Sequence, residues 1–328
     1  MAEGPKRRIV FMGTPDFAAQ VLDGLLGSEN YEVVAVYTRP DKKAGRGLKT
    51  VFSEVKKLAL EHDIALFQPP TLRSAEATSA LAALKPDYLI VAAYGLILPQ
   101  EILDIPKIAP INVHASLLPA FRGAAPIQRA IMENPQEGAK TGVSIMKMLA
   151  TLDTGPVYAQ KEVPIEHKNS AMLEHELAKV GAELLLQVLS DIDKKNLQPV
   201  EQDEAKATYA HKLEKDDGLI DWSGSAQQVD AQVRAMNPWP GAQSSFLLPG
   251  GEEIKVTILD GRPGNPCSEE PGRLLRHKKG LAIACNDCWY EVEKLRAQGR
   301  RAMSAADFAN GQIKIPNGLC GYAKKIPC

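Results

Sequence analysis

The sequence predicts an α/β protein: a doubly wound, Rossmann-like N-terminal domain built on a parallel-rich sheet, followed by a small β-barrel. Three observations lead there. Short apolar runs alternate with segments of helical period from Arg8 to about Ile192, the pattern of consecutive βα units. Beyond that point short β-type runs separated by Gly and Pro take over. Between them lies Asp193 to Lys206, a polar stretch without apolar period that contains Pro199. A chain of 328 residues suits two domains, and the division read here is 1–193 for the first domain, 194–208 for the linker and 209–328 for the second.

The elements follow in order. Arg8 to Met12 reads as the first strand, Gly13-Thr14-Pro15-Asp16 as a tight turn and Phe17 to Leu26 as a helix. The glycine fingerprint of dinucleotide-binding folds is missing after that strand, which argues against a dehydrogenase. Glu32 to Tyr37 is a second strand. It leads into Arg39 to Lys49, which holds five basic side chains, Lys42, Lys43, Arg46 and Lys49 among them, against one acid. A flexible basic loop of this kind fits phosphate contacts as well as simple solvation. Val51 to His62 reads as a helix, Ala65 to Phe67 as a short strand, Ser74 to Leu84 as a helix and Tyr88 to Ala92 as a buried strand. Ala93 to Pro99 then follows a strand end, where such sheets place binding loops. Its apolar side chains fit either a slot for a flat ring or ordinary core.

Ile111 to Arg129 is the most informative stretch. Pro110, Ile111 and Val113 fit a buried strand, Pro119 to Gly123 a turn, and Pro126 the first position of a helix carrying Ile127, Ala130 and Ile131. Asn112 and His114, two apart on a strand, point to one face. At the strand's carboxyl end that face opens into the crevice of an open α/β sheet. An amide N–H can hold a developing oxyanion, and a neutral imidazole can accept a proton near neutrality, so acyl-type transfer is the chemistry the pair suits. A turn cap and a hydrogen-bonded core histidine would leave the same trace. Ser116 has no nucleophile elbow around it. Thr141 to Met148 and Pro156 to Lys161 read as two more strands, with Asp153 in the loop between them, where a carboxylate could orient an imidazole.

The second half starts from the long amphipathic helix Ala171 to Ile192 and resumes with a helix at Ala226 to Met236. Strand-like runs at Ala242 to Leu248, Glu253 to Leu259, Gly280 to Cys285 and Trp289 to Leu295 suggest the barrel. All five cysteines lie from Cys267 onward, and an odd number argues against a disulfide framework. Cys285-x-x-Cys288 is the one metal-like spacing, a single pair where a structural zinc site wants two. The net charge is −1, yet from Arg273 on there are eleven Lys or Arg against four Asp or Glu, a local net of +7 that suits phosphates. No secretory h-region and no apolar run of membrane-spanning length is seen, so a cytoplasmic protein is expected.

Asn112-x-His114 followed by Ser116, Leu117, Leu118, Pro119, then Arg122-Gly123, resembles the active-site strand of the folate-dependent formyltransferases. The likeness extends to Ala44-Gly45-Arg46-Gly47, Ala93 to Pro99 and Leu152-Asp153-Thr154-Gly155, and on to Ile220 to Ser223, Asn237 to Ala242 and Asp307-Phe308 in a C-terminal domain of OB-like type. The sequence departs from the family at Leu149-Ala150-Thr151, where related enzymes show an acid, a residue and a glycine.

The resemblance implies formyl transfer from 10-formyltetrahydrofolate, without a metal, to the α-amino group of methionyl-initiator tRNA. It assigns Asn112, His114 and Asp153 to catalysis. The pterin of the folate goes to Tyr94, Gly95, Leu96 and Ile97 with Ser116 to Pro119, and tRNA contacts go to Lys42, Lys43, Arg46 and Lys49. Arg122 is open between a turn residue and a tRNA contact. Transformylases acting on glycinamide ribonucleotide resemble only the N-terminal half. Those acting on nucleotide sugars share both halves, but the basic loop and tail favour tRNA. A non-catalytic nucleic-acid-binding protein would need none of Asn112, His114 and Asp153. A monomer without membrane association is expected.

Overall fold

The computed structural model describes residues 6–44, 49–248, 250–278, 280–313 and 317–325. The chain forms two compact units, each assembled from separate stretches. One comprises the chain up to Gly123 with Thr141–Val163 and Glu174–Tyr209; the other comprises Ala124–Lys140, Pro164–Leu173 and the chain from Ala210 on.

In chain order the elements up to Ala210 are β1 (Arg7–Gly13), α1 (Asp16–Leu26), β2 (Tyr31–Tyr37), β3 (Lys42–Ala44), β4 (Lys49–Val51), α2 (Glu54–Glu61), β5 (Leu66–Phe67), α3 (Ala75–Ala83), β6 (Tyr88–Ala92), α4 (Gln100–Leu103), β7 (Ala109–His114), β8 (Arg122–Gly123), α5 (Pro126–Glu133), β9 (Lys140–Lys147), β10 (Val157–Pro164), α6 (Ser170–Asp193) and β11 (Tyr209–Ala210). The first unit is a seven-stranded sheet in the order β10-β9-β7-β6-β1-β2-β5. β1 lies parallel to β2 and β6, β6 parallel to β7, and β2 parallel to β5, whereas β9 runs antiparallel to β7. This is the parallel-rich, doubly wound architecture that the βα alternation implies. Every residue of β6 and β7 is buried, which is why β6 reads as a continuous apolar run; on β7 the polar Asn112 and His114 are buried as well. Gly181 lets α6 close on β7, since a Cβ there would meet Val113 Cγ1 at 3.0 Å.

Two local readings change. The second helix starts at Glu54 instead of Val51, because Val51 is used in β4 and Ser53 caps the helix by accepting the Lys56 N–H at 3.1 Å. The basic stretch from Arg39 to Lys49 is not wholly loop: β3 and β4 pair antiparallel, Lys42 opposite Val51, Lys43 opposite Thr50 and Ala44 opposite Lys49. Arg46 lies outside the described residues.

The second unit holds α5 with its buried Ile127, Ala130 and Ile131, and continues with α7 (Ala226–Met236), β12 (Ala242–Leu247), β13 (Glu253–Pro266), β14 (Arg273–His277), β15 (Gly280–Ala284), β16 (Cys288–Ala297), β17 (Met303–Ser304), α8 (Ala305–Gln312) and β18 (Gly318–Lys324). Six strands run β13-β12-β18-β14-β15-β16, and β13 pairs back on β16 to close an antiparallel, OB-like barrel. β14 and β18 have no counterpart in the sequence reading. The Cys285-x-x-Cys288 pair is a hairpin turn: Cys285 N–H donates to the Cys288 carbonyl at 2.9 Å, and Asp287 accepts the N–H of Ala226, first residue of α7, at 2.8 Å. Burial pushes the Cys285 thiol up to about 12, so it stays protonated. Among the described residues no helix is long and apolar enough to cross a membrane.

The return from β9 to β10 is tight at Gly155, where a Cβ would sit 1.8 Å from the Lys147 carbonyl oxygen. Gly155→Ala is therefore expected to cost about 1–3 kcal/mol, the usual range for overpacking. The check is the urea midpoint, which should fall; an unchanged midpoint would mean that the loop yields without cost.

Candidate active site

The carboxyl end of β7 carries the site. Its neighbours hold it in register, Asn112 beside Val91 of β6 and Met146 of β9, His114 beside Ser144 of β9. Asn112 is 8% exposed and His114 5%, so both are buried instead of on the surface. Among the described residues the Asn112 amide has no hydrogen-bond partner. Its N–H groups and its oxygen are therefore open to other donors and acceptors.

The His114 ring is defined by two oxygens. Its Nε2–H donates to the Phe121 carbonyl at 3.1 Å, and because a carbonyl only accepts, the proton belongs on Nε2. Nδ1 then faces Asp153 Oδ2 at 3.8 Å, too long for a hydrogen bond but close enough for the carboxylate to attract a cation on the ring. Nδ1 is the nitrogen left to exchange a proton. Asp153 is itself held, its Oδ2 accepting the Gly123 N–H at 2.9 Å.

Backbone strain gathers at this place. Phe121 (φ 59°), Asp153 (φ 52°) and Ala93 (φ 44°) are non-glycine residues in the left-handed region, and each lies on a loop at or beside the site. Next to Asp153, the Thr151 and Thr154 hydroxyls bond one another, while Leu149 and Leu152 are exposed.

The residues read as folate contacts are placed in different ways. Tyr94 is 2% exposed and packs with Val10, Met12 and Leu98; its hydroxyl has no partner among the described residues, and burial pushes the phenol up to about 12. Its carbonyl accepts from the Thr14 hydroxyl at 3.1 Å, and the Gly95 carbonyl accepts from the Arg39 guanidinium. Leu96 packs against the same core and Ile97 is 69% exposed. The Leu96 and Ile97 peptide groups make no hydrogen bond to a described residue. Ser116 turns inward, donating to the Ala120 carbonyl at 2.6 Å; Leu118 is buried, Leu117 and Pro119 are half-buried, and the Leu118–Pro119 peptide is cis. Lys42 is exposed on β3, and Lys43 and Lys49 belong to the β3–β4 pair.

Sequence reasoning missed the supports. The Ser144 hydroxyl donates to the Ser116 carbonyl at 2.6 Å and accepts the Leu118 N–H at 3.0 Å, while Gln160 donates to the Leu118 carbonyl at 2.7 Å. Arg122 is fully buried, with a bidentate fork on Glu204 at 2.7 and 2.9 Å and two further bonds to Gln202 Oε1. That hydrogen bonding holds the Glu204 carboxyl below the usual range. Burial excludes Arg122 as a surface contact. The available signal was an arginine inside a turn otherwise made of Pro, Ala, Phe and Gly, which requires a carboxylate from elsewhere.

The chain matches the family Formyl transferase over residues 6–189 and Formyl transferase, C-terminal domain, over residues 212–312. A protein named methionyl-tRNA formyltransferase from Desulfovibrio desulfuricans is 48% identical, covering 99% of this chain and 98% of its own; one of the same name from Pseudomonas putida is 47% identical over 93% and 96%. Among solved structures, HypX from Aquifex aeolicus in complex with tetrahydrofolic acid shares the fold at TM-score 0.63 and 19% identity, covering 97% of this chain and 51% of that one. The N-formyltransferase from Helicobacter canadensis, in complex with folinic acid and dTDP-3-aminofucose, does so at TM-score 0.63 and 16% identity, over 88% and 98%. Matched in both halves, and closely related over nearly its full length to methionyl-tRNA formyltransferases, the chain belongs to the formyl transferase family.

Proposed function

We propose that this protein transfers the formyl group of 10-formyltetrahydrofolate to the α-amino group of methionyl-initiator tRNA, for translation initiation, acting as a cytoplasmic monomer. The observation that carries the proposal is the meeting of His114 Nδ1 with Asp153 Oδ2 at 3.8 Å, beside a free Asn112 amide, in a chain 48% identical to a methionyl-tRNA formyltransferase. In this reading 1–193 is the catalytic domain, 194–208 the linker and 209–328 the tRNA-binding domain.

The peptide groups of Leu96 and Ile97 suit the amide-like edge of a pterin, and the exposed Ile97 side chain suits its face. Tyr94 and Ser116 contribute to that slot through the backbone, their side chains being turned inward. The folate supplies an activated formyl group when bound. Asn112 donates to the formyl oxygen, where negative charge grows as the acceptor amine adds. His114 Nδ1 takes the proton that the amine gives up and returns it to the departing nitrogen, and Asp153 balances the cation on the ring meanwhile. Lys42, Lys43, Arg46 and Lys49 reach the acceptor end of the tRNA, and the basic segment from Arg273 on carries phosphate contacts.

The direct test is formylation of Met-tRNA with formylfolate supplied or withheld; product should form only in its presence. Asn112→Ala and His114→Ala should each slow the chemical step by about a hundredfold or more. Normal turnover of either folded variant at saturating substrates would remove its assigned role. Asp153→Asn should lower the single-turnover rate with tRNA affinity unchanged, since the amide still accepts from Gly123 but carries no charge. Collapse of tRNA affinity with an intact single-turnover rate would move Asp153 from chemistry to recognition.

A further inference from the structure

We propose that the segment from Val200 to Thr208, which precedes the last stretch of the second unit, is a positioning element for His114 that fixes both oxygens facing the imidazole. The inference rests on the formyltransferase reading for what His114 does, though not for how the ring is held.

Two sets of bonds support it. Thr208 grips the turn that presents the Phe121 carbonyl: its hydroxyl accepts the Phe121 N–H at 2.8 Å, its carbonyl accepts the Arg122 N–H at 2.9 Å, and its own N–H donates to Pro119 at 3.2 Å. Gln202 grips the opposite loop, its side-chain amide donating to the Asp153 carbonyl at 2.9 Å and the Gly155 carbonyl at 2.7 Å. Arg122 ties the two together. Its guanidinium accepts nothing and gives its protons to Gln202 Oε1 and to Glu204, so it orients the Gln202 amide with its donors toward Asp153. The segment is anchored at its start by reciprocal backbone bonds between Val200 and Val157, both at 2.8 Å.

A hold of this kind is needed because Phe121 and Asp153 both occupy left-handed conformations, which persist only where the surroundings determine them. Release of Thr208 or Gln202 would let one oxygen drift from the ring. A displacement on the order of 1 Å at a reacting group can cost up to about a hundredfold in rate. The segment runs at Ala210 into the second unit, so the chain that leads to the barrel is also the chain that sets the imidazole.

The test uses the full chain and three variants. Gln202→Glu keeps an oxygen for Arg122 but loses both donors to the Asp153 loop. Thr208→Val removes the acceptor for the Phe121 N–H on an exposed residue, and Thr208→Ser restores it. Gln202→Glu and Thr208→Val should each lower kcat about tenfold or more, with KM for tRNA and formylfolate within about twofold of wild type, and Thr208→Ser should return kcat to within about twofold. The ¹⁵N resonances of the His114 ring should shift in the first two and not in the third. The proposal is overturned if Gln202→Glu and Thr208→Val keep wild-type kcat and His114 resonances, or if KM alone rises. Should wild type fail to formylate Met-tRNA, the functional reading falls while the ring resonances still decide the positioning. Thr208→Val decides if Gln202→Glu does not fold.

Discussion

The site depends on one constraint: an imidazole whose two nitrogens both face oxygen. A carbonyl on one side fixes where the ring proton sits, and a carboxylate on the other defines where a second proton could go. Neither oxygen comes from the strand that carries the histidine. Phe121 arrives from the turn after β7 and Asp153 from the loop between β9 and β10, and both backbones adopt conformations that an isolated chain would avoid. β7 lies between β6 and β9; because β9 runs antiparallel to β7, the loop that carries Asp153 leaves beside the start of β7 and reaches along it to His114, where the Phe121 turn begins.

Charge is managed by burial and pairing rather than by accumulation. Arg122 has no exposure, so its cation is tolerable only with the Glu204 carboxylate and the Gln202 oxygen upon it. Removing Glu204 would leave the buried Arg122 cation without its carboxylate, whereas removing Arg122 would leave Glu204 in solvent. The arrangement therefore acts as a tie that is costly to undo. At the basic stretch the logic is reversed, with Lys42 exposed to solvent and available to an anionic partner.

The strand that carries Asn112 and His114 was legible because its signals are local. Three apolar residues, a polar pair at spacing two and a proline at a helix start all lie within one stretch, and the structure returns them as β7 and α5. Helix ends were legible where a capping hydroxyl marks them, as at Ser74. Val51 misled because apolar periodicity is shared by a helix and by a strand that happens to precede it. β14 and β18 were invisible for another reason. Arg273-Leu-Leu-Arg-His and Gly318-Leu-Cys-Gly-Tyr-Ala-Lys lack alternation, and they become strands through pairing with each other, with β15 for β14 and with β12 for β18. Gln202 and Glu204 could not be found by pattern at all, since Arg122 lies 80 and 82 residues away from them in sequence.

The closure of the barrel has a consequence for how the second unit meets any partner. Where β13 returns to β16, the six strands close on themselves, so that among the described residues each has a partner on both sides. A closed ladder offers an extended peptide or a neighbouring copy little edge on which to add a strand. Adhesion is left to side chains and loop tips. A partner held mainly by Lys and Arg tips is held by forces that salt screens, so it can be released as readily as it is caught.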